Sequence, residues 1–343
     1  MTSFQKSFSI LDRYIGLNKP VYIIAEAGVA HFGDENRAMQ LVDLAAEGGA
    51  DAFKTQAFST DSLISPALPE WQSRLRSKEV SFEFIKKMKD RCDSHGLTFL
   101  CTAHDESVLS WLIELNVAAI KVGSGERGNF PFLSKLAALG KPIILSTGMY
   151  EESHLTDTIS FLSSFGVSDL AILHCVTSYP TPIKQLNLRA LDRISELFSG
   201  PVGYSDHTSG FDASLAAVAR GASIIEKHIT VDFNVPNAQD WKVSCGPDDF
   251  RDFVSSIRKT EAMLGDAILQ LQECEKPALH WALKSVAASK NLAAGSVIDT
   301  SMLVTMRPGS GLSPSSIDTL LGKVLSKDLK KGDLLTPDVF CDF

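Results

Sequence analysis

Short apolar runs rich in β-branched residues recur along the first two-thirds of the chain. Each is followed by a stretch whose apolar positions repeat at helical spacing. Eight runs stand out: VYIIAEAG from Val21, DAFKTQ from Asp51, TFLCTAH from Thr98, AAIKVGS from Ala118, PIILSTG from Pro142, LAILHCV from Leu170, PVGYSD from Pro201 and SIIEKHIT from Ser223. Between them lie segments such as NRAMQLVDLAAEGG and SFEFIKKMKDRCDSHG, several ending in the glycine that tolerates a left-handed helix terminus. Near-continuous apolar strands separated by helices predict a parallel sheet covered on its outer face. Eight βα units in roughly 250 residues predict an α/β fold of the closed (β/α)8 type, a TIM barrel. The competing architecture, an open doubly wound sheet, usually carries a Gly-rich first turn. AEAGVAHFG does not match GxGxxG.

The barrel pattern is expected to span residues 1–265, ending with a helix from Pro247 to about Leu264. GDAILQLQECEKPALHWALK reads as a linker over 266–284. From Ser285 to Phe343 the texture changes to short strands and turn signals, predicting a compact second domain of roughly 60 residues with little core of its own.

Charge and cysteines narrow the functional classes. The net charge of −8 supplies no basic field for nucleic acid or anionic lipid, so an anionic substrate must be held by local charges. The six cysteines form no CxxC pair, which argues against a disulfide framework or zinc ribbon; Cys101 and Cys175 read as small core residues. MTSFQKSFSILDRYIG shows no leader pattern and no later run is long enough to span a bilayer, so the cytoplasm is the expected compartment.

In a barrel of this kind reactive residues project from the C-terminal ends of the strands. Those ends carry Glu26; Lys54 and Gln56; Thr102 and His104; Lys121, Ser124 and Glu126; Ser146 and Thr147; Thr177, Ser178 and Tyr179; Ser205, Asp206 and His207; and Glu226, Lys227 and His228. Two lysines with several hydroxyls suit a small phosphorylated anion. His207 and His228, on neighbouring strands, suit a divalent metal with open positions for water or substrate. Strand side chains alternate, so a lumen-facing His228 turns Lys227 to the helices, where a pairing with Glu226 is expected. Lys54 and Gln56 share one face. His31 and His104 read as solvated loop residues, and Glu126 as a helix-start carboxylate.

At this point the residues resemble a known family. AEAGVAHFGD, ADAFKTQ, KVGSGE, ILSTGM, HCVTSYPTP, GYSDHTSG and IEKHIT occur in the order and at the spacing of the sialic acid (N-acetylneuraminate) synthases. VTMRPGSGLSP and LLGKVLSKDLKKGD look like the antifreeze-like (SAF) domain of that family. The resemblance implies a condensation of phosphoenolpyruvate with N-acetylmannosamine or a related N-acetylated hexose. It implies a divalent metal on His207 and His228, usually manganese, with magnesium or cobalt as substitutes. Phosphoenolpyruvate contacts fall on Lys54, Thr102, Lys121, Ser124 and Ser205, with Thr177 standing where the family has Asn. Glu26 matches the carboxylate that meets the sugar, Tyr179 matches the tyrosine of the YP pair, Gln56 is expected among the substrate contacts, and Asp240 aligns with a sugar-side Asp. Arg307 matches the SAF arginine that reaches a partner's active site in a domain-swapped homodimer. Two further departures, Ala30 for Asn and Trp241 for His, lie near the sugar side. The alternatives are a synthase taking a 2,4-diacetamido-trideoxyhexose (legionaminic or pseudaminic acid type), a catalytically silent sugar-binding protein, and a Schiff-base lyase.

Overall fold

In the computed structural model, residues 3–235 and 240–342 are described, and the chain divides into two compact units, 1–265 and 266–343. Of the stretch NAQDWKVS, Asn237, Ala238 and Gln239 lie outside the described residues.

The first unit opens with an antiparallel hairpin, β1 (Ser7–Ile10) and β2 (Arg13–Gly16). Eight parallel strands follow: β3 (Tyr22–Gly28), β4 (Ala52–Ala57), β5 (Thr98–Ala103), β6 (Ile120–Val122), β7 (Ile143–Ser146), β8 (Leu170–Cys175), β9 (Val202–Asp206) and β10 (Ile224–His228). They close into a barrel, with β10 pairing back onto β3. All eight predicted strands are present, each followed by helical structure that covers the outer face, so the α/β closed-barrel expectation holds.

Local signals explain the helices. In Phe82–His95 the Ser81 hydroxyl accepts from the Phe84 amide at one end, and Gly96 adopts φ 66° at the other. That left-handed conformation carries no Cβ penalty at glycine. The buried positions Ile85, Met88 and Cys92 recur at helical spacing and pack toward the strands.

Two apolar layers result. The larger lies between strands and helices; the smaller fills the barrel, where Ile24, Leu100, Ile144, Leu173 and Ile224 meet Phe8, Ile10 and Ile15 of the hairpin. The cluster includes the first residues of three strands, Tyr22, Ala52 and Ile224, so the hairpin closes the N-terminal end. Side-chain alternation then leaves the opposite end of the lumen for polar groups.

The second unit contains the helix Lys276–Ala282, within the stretch read as a linker, and the antiparallel pair β11 (Ser285–Ala288) and β12 (Leu303–Met306). It is not without a core: Val286, Ile298, Leu320, Leu325, Leu335 and Phe340 belong to one buried cluster. Among the described residues no helix is long and apolar enough to cross a membrane.

Candidate active site

Strand register assembles the polar end of the lumen. Glu26 on β3 stands beside His228 on β10 and Lys54 on β4. Gln56 pairs with Thr102, and Ser205 on β9 stands between Cys175 and Glu226. These residues, with Lys121, Ser124, Ser146, Thr177, Tyr179 and His207, line one chamber. The expected lumen set is thus brought together, apart from Asp240 and Arg307.

Four ionisable groups organise the chamber. Lys54 Nζ lies 2.8 Å from Glu26 Oε2 and 3.7 Å from Glu226 Oε2, and donates to Thr102 Oγ1 at 3.4 Å. Lys121 Nζ donates to Ser146 Oγ at 2.8 Å and stands 3.6 Å from Glu226 Oε1. All four are buried, so whichever of them is charged needs a partner. Burial alone would raise the Glu226 carboxyl, but the Lys121 and Lys54 ammoniums outweigh it and hold it at about 2. Glu26 moves the other way: burial, reinforced by the Glu226 charge, pushes it above the ordinary carboxylate range despite Lys54. Burial likewise works against Lys54, yet Glu226 and Glu26 keep its pKa raised. Lys121 is drawn down by burial and by the like charge of Lys54. Two carboxyls in one lumen therefore differ in role: Glu226 is a fixed anion and Glu26 is the one suited to hold a proton.

The imidazoles sit at the rim. Val176 O, which only accepts, lies 2.8 Å from His207 Nδ1, so that nitrogen donates to it and Nε2 is the one available to a metal. The His207 and His228 ring centroids are 5.4 Å apart. His228 Nδ1 is buried without a hydrogen-bond partner, 4.0 Å from Asp240 Oδ2. A backbone-anchored imidazole beside an orphaned buried imidazole nitrogen fits a divalent ion, with the remaining positions left to water or substrate oxygen. Tyr179 packs against His207, ring centroids 4.0 Å apart and planes tilted by 31°.

Several expectations change. Glu226 does not pair with Lys227. Lys227 points to the helix side, donating to Thr208 O at 2.7 Å and standing 3.3 Å from Asp206, while Glu226 faces the lysines. Glu226 shares the parity of His228, which is the signal that identifies it as a lumen residue. His104 continues the parity of Thr102 and lines the chamber rather than standing in solvent; burial and the two lysines pull it down to about 4. His31 is fully buried, its Nδ1 accepting from Gly33 N at 3.1 Å, and burial alone takes it to about 4. Glu126 is buried and accepts from Asn129 Nδ2 at 2.7 Å. Cys101 is a core residue, but Cys175 lines the chamber with its Sγ 3.6 Å from His207 Nδ1. Arg307 belongs to the second unit, where its guanidinium lies over the Trp281 ring at 5.7 Å.

The loop geometry is tight. Ser124 Oγ accepts from Gly148 N at 2.9 Å, and a Cβ on Gly148 would sit 2.1 Å from Thr177 Oγ1 and 2.8 Å from Ser124 Oγ. Only glycine allows both hydroxyls this close to the backbone.

Comparison with known proteins bears on this arrangement. Residues 41–269 match the NeuB family model, and residues 284–340 match the SAF domain. The chain belongs to the NeuB family. Among NeuB relatives, the N,N'-diacetyllegionaminic acid synthase of Campylobacter jejuni is 35% identical over 332 residues, covering 92% of this chain and 99% of that protein. The human N-acetylneuraminate-9-phosphate synthase is 31% identical over 342 residues, covering 95% and 94% of the two chains. A crystal structure of the N-acetylneuraminic acid synthetase of Leptospira borgpetersenii, in complex with citrate, superposes with a TM-score of 0.76 at 32% identity. It covers 81% of this chain and 97% of that one. The relatives are named as synthases or synthetases, and this chain carries both a NeuB region and a SAF domain.

Proposed function

We propose that this NeuB-family protein is an enzyme that condenses phosphoenolpyruvate with an N-acetylated hexose, giving a nine-carbon 2-keto sugar acid and phosphate. The observation that supports it best is the placement of two buried lysines and two rim imidazoles at one end of one closed barrel. Phosphoenolpyruvate is a small polyanion. Lys54 and Lys121 supply point charges for it, and Thr102, Ser124, Ser146 and Ser205 supply hydroxyls.

C3 of phosphoenolpyruvate bonds to the aldehyde carbon, water adds at C2, and the C2–O bond breaks as phosphate leaves. A divalent ion on His207 and His228, with manganese the expected metal, would polarise the aldehyde oxygen as a Lewis acid. Glu26, held above the ordinary carboxylate range by burial, gives its proton to the new alkoxide and recovers one from the attacking water. Gln56, which donates to Glu26 Oε1 at 3.2 Å, orients that carboxyl. Tyr179 and Asp240 border the sugar. Holding both reactants in register supplies on the order of 7–11 kcal/mol of the barrier. Arg307 completes the sugar contacts from the SAF domain of a partner copy in a homodimer.

The test is consumption of phosphoenolpyruvate with N-acetylmannosamine in manganese-containing buffer. Chelation and His207→Ala should each abolish turnover. Undiminished activity in chelated buffer counts against the metal, and no consumption with any N-acetylated hexose counts against the reaction.

A further inference from the structure

His104 stands one residue past the end of β5, and the backbone fixes where it points. Its amide donates to Ala57 O at 3.0 Å, so the pairing of β4 with β5 runs one step beyond the Ala57–Ala103 pair. Continued pairing preserves side-chain alternation, which puts His104 on the lumen side with Thr102. The ring is also confined. Its centroid lies 6.4 Å from that of Phe58, edge to face, and a Cβ on Gly123 would sit 3.6 Å from its Cε1. The next residue anchors the loop, since the Asp105 carboxylate accepts from Ser59 N at 2.7 Å and from Ser107 N at 2.8 Å.

Many polar side chains of the chamber are already engaged. Thr102 accepts from Lys54, Ser146 accepts from Lys121, Ser124 accepts from Gly148 N, and Ser205 donates to Glu226. His104 differs. Its ring lines the chamber, yet among the described residues neither ring nitrogen has a hydrogen bond or an ion pair. With burial and both lysine charges holding it down to about 4, the imidazole is neutral at pH 7 and keeps one N–H and one lone pair. An unpaired N–H in the field of two ammoniums suits a ligand that brings several anionic oxygens. It supplies direction without adding a third positive charge. Gly123, Ser124 and Gly125 line the same chamber, and the two residues without a Cβ let such a ligand approach the backbone closely.

We propose that His104 is a further phosphoenolpyruvate-binding residue of this chain: its ring N–H donates to the phosphate group, on the wall it forms with Gly123 and Ser124. The proposal rests on the condensing reaction proposed above. His104 takes no part in proton transfer. It fixes the phosphate end of the anion while Lys54 and Lys121 supply the charge.

The experiment uses the full chain with manganese. Calorimetry gives the dissociation constant of phosphoenolpyruvate, and turnover at saturating N-acetylmannosamine gives its Michaelis constant. Both are measured for the wild type, His104→Phe, His104→Asn and His104→Gln, each checked by thermal melting; His104→Leu replaces the Phe variant if that one melts early. Phe keeps a planar ring without nitrogens, Asn puts a donor near the Nδ1 position and Gln near Nε2. A hydrogen bond to a charged group predicts that His104→Phe raises both constants about tenfold, with kcat and the sugar Michaelis constant unchanged. Asn or Gln should recover most of that loss. Inorganic phosphate, used as a competing ligand, should weaken by the same factor in His104→Phe, and pyruvate, which lacks the phosphate, should not. Unchanged phosphoenolpyruvate binding in His104→Phe, no recovery in either amide variant, or a loss shared equally by pyruvate overturns the proposal. Phosphoenolpyruvate bound with no sugar consumed refutes the condensing reaction alone, and the binding constants still decide His104. No binding of phosphoenolpyruvate by the wild type refutes both.

Discussion

Replacing Glu226 by Gln tests the electrostatic frame of the lumen. The substitution keeps the shape of the side chain and an oxygen for the Ser205 hydroxyl, which now donates to it at 2.9 Å. What disappears is the charge between Lys54 at 3.7 Å and Lys121 at 3.6 Å. A carboxyl moved from its ordinary 4.5 to about 2 corresponds to about 3 kcal/mol of stability at neutral pH. Removing one member of a buried charge cluster typically costs a similar amount. The pH dependence identifies the cause. Because the folded-state pKa lies below the unfolded value, the contribution is complete above about pH 5 and is lost as pH falls toward about 2. Urea unfolding followed by tryptophan fluorescence, with Trp71, Trp111 and Trp241 in the first unit, should therefore show a large wild-type advantage at pH 7. The two unfolding curves should converge in acid. Equal stability at pH 7, or a deficit that stays constant across the acid limb, refutes the assignment of Glu226 as the fixed counter-ion of the two lysines.

Gly148→Ala should raise the Michaelis constant for phosphoenolpyruvate by about tenfold and lower stability by about 1–3 kcal/mol, because the new methyl collides with Thr177 and Ser124; unchanged kinetics and melting remove the tight loop from the site. Arg307→Ala should raise the sugar Michaelis constant on the order of tenfold while leaving that for phosphoenolpyruvate in place. An unchanged sugar constant removes the SAF arginine from the site.

Much of this was legible before the structure because a barrel repeats one simple rule. Eight apolar runs, each followed by a helical pattern, specify parallel strands with covered outer faces, and alternation sends every second side chain to the lumen. That parity put Lys54 and Gln56 on one face and turned Lys227 outward from a lumen-facing His228, while Lys121, Ser205 and His207 were legible from their places at the strand ends. The same parity points to Glu226, but a carboxylate next to a lysine in sequence suggests a local pair that strand geometry forbids. The readings of His31 and His104 as solvated failed for a related reason: a residue beyond a strand end has no fixed direction in sequence, and neighbouring strands and loops decide whether water reaches it. The hairpin that closes the lumen floor is too short to carry a periodic signal, and its apolar residues matter only against the barrel they close.

The amino-acid order alone thus determined the barrel, its polar end and the family, since these depend on local periodicity and on motifs a few residues long. Only the tertiary structure decided which carboxyl is a fixed anion and which can hold a proton. Lys54, Lys121, Glu26 and Glu226 come from four strands, and their protonation depends on burial and on distances of a few ångströms that exist only once the barrel has closed.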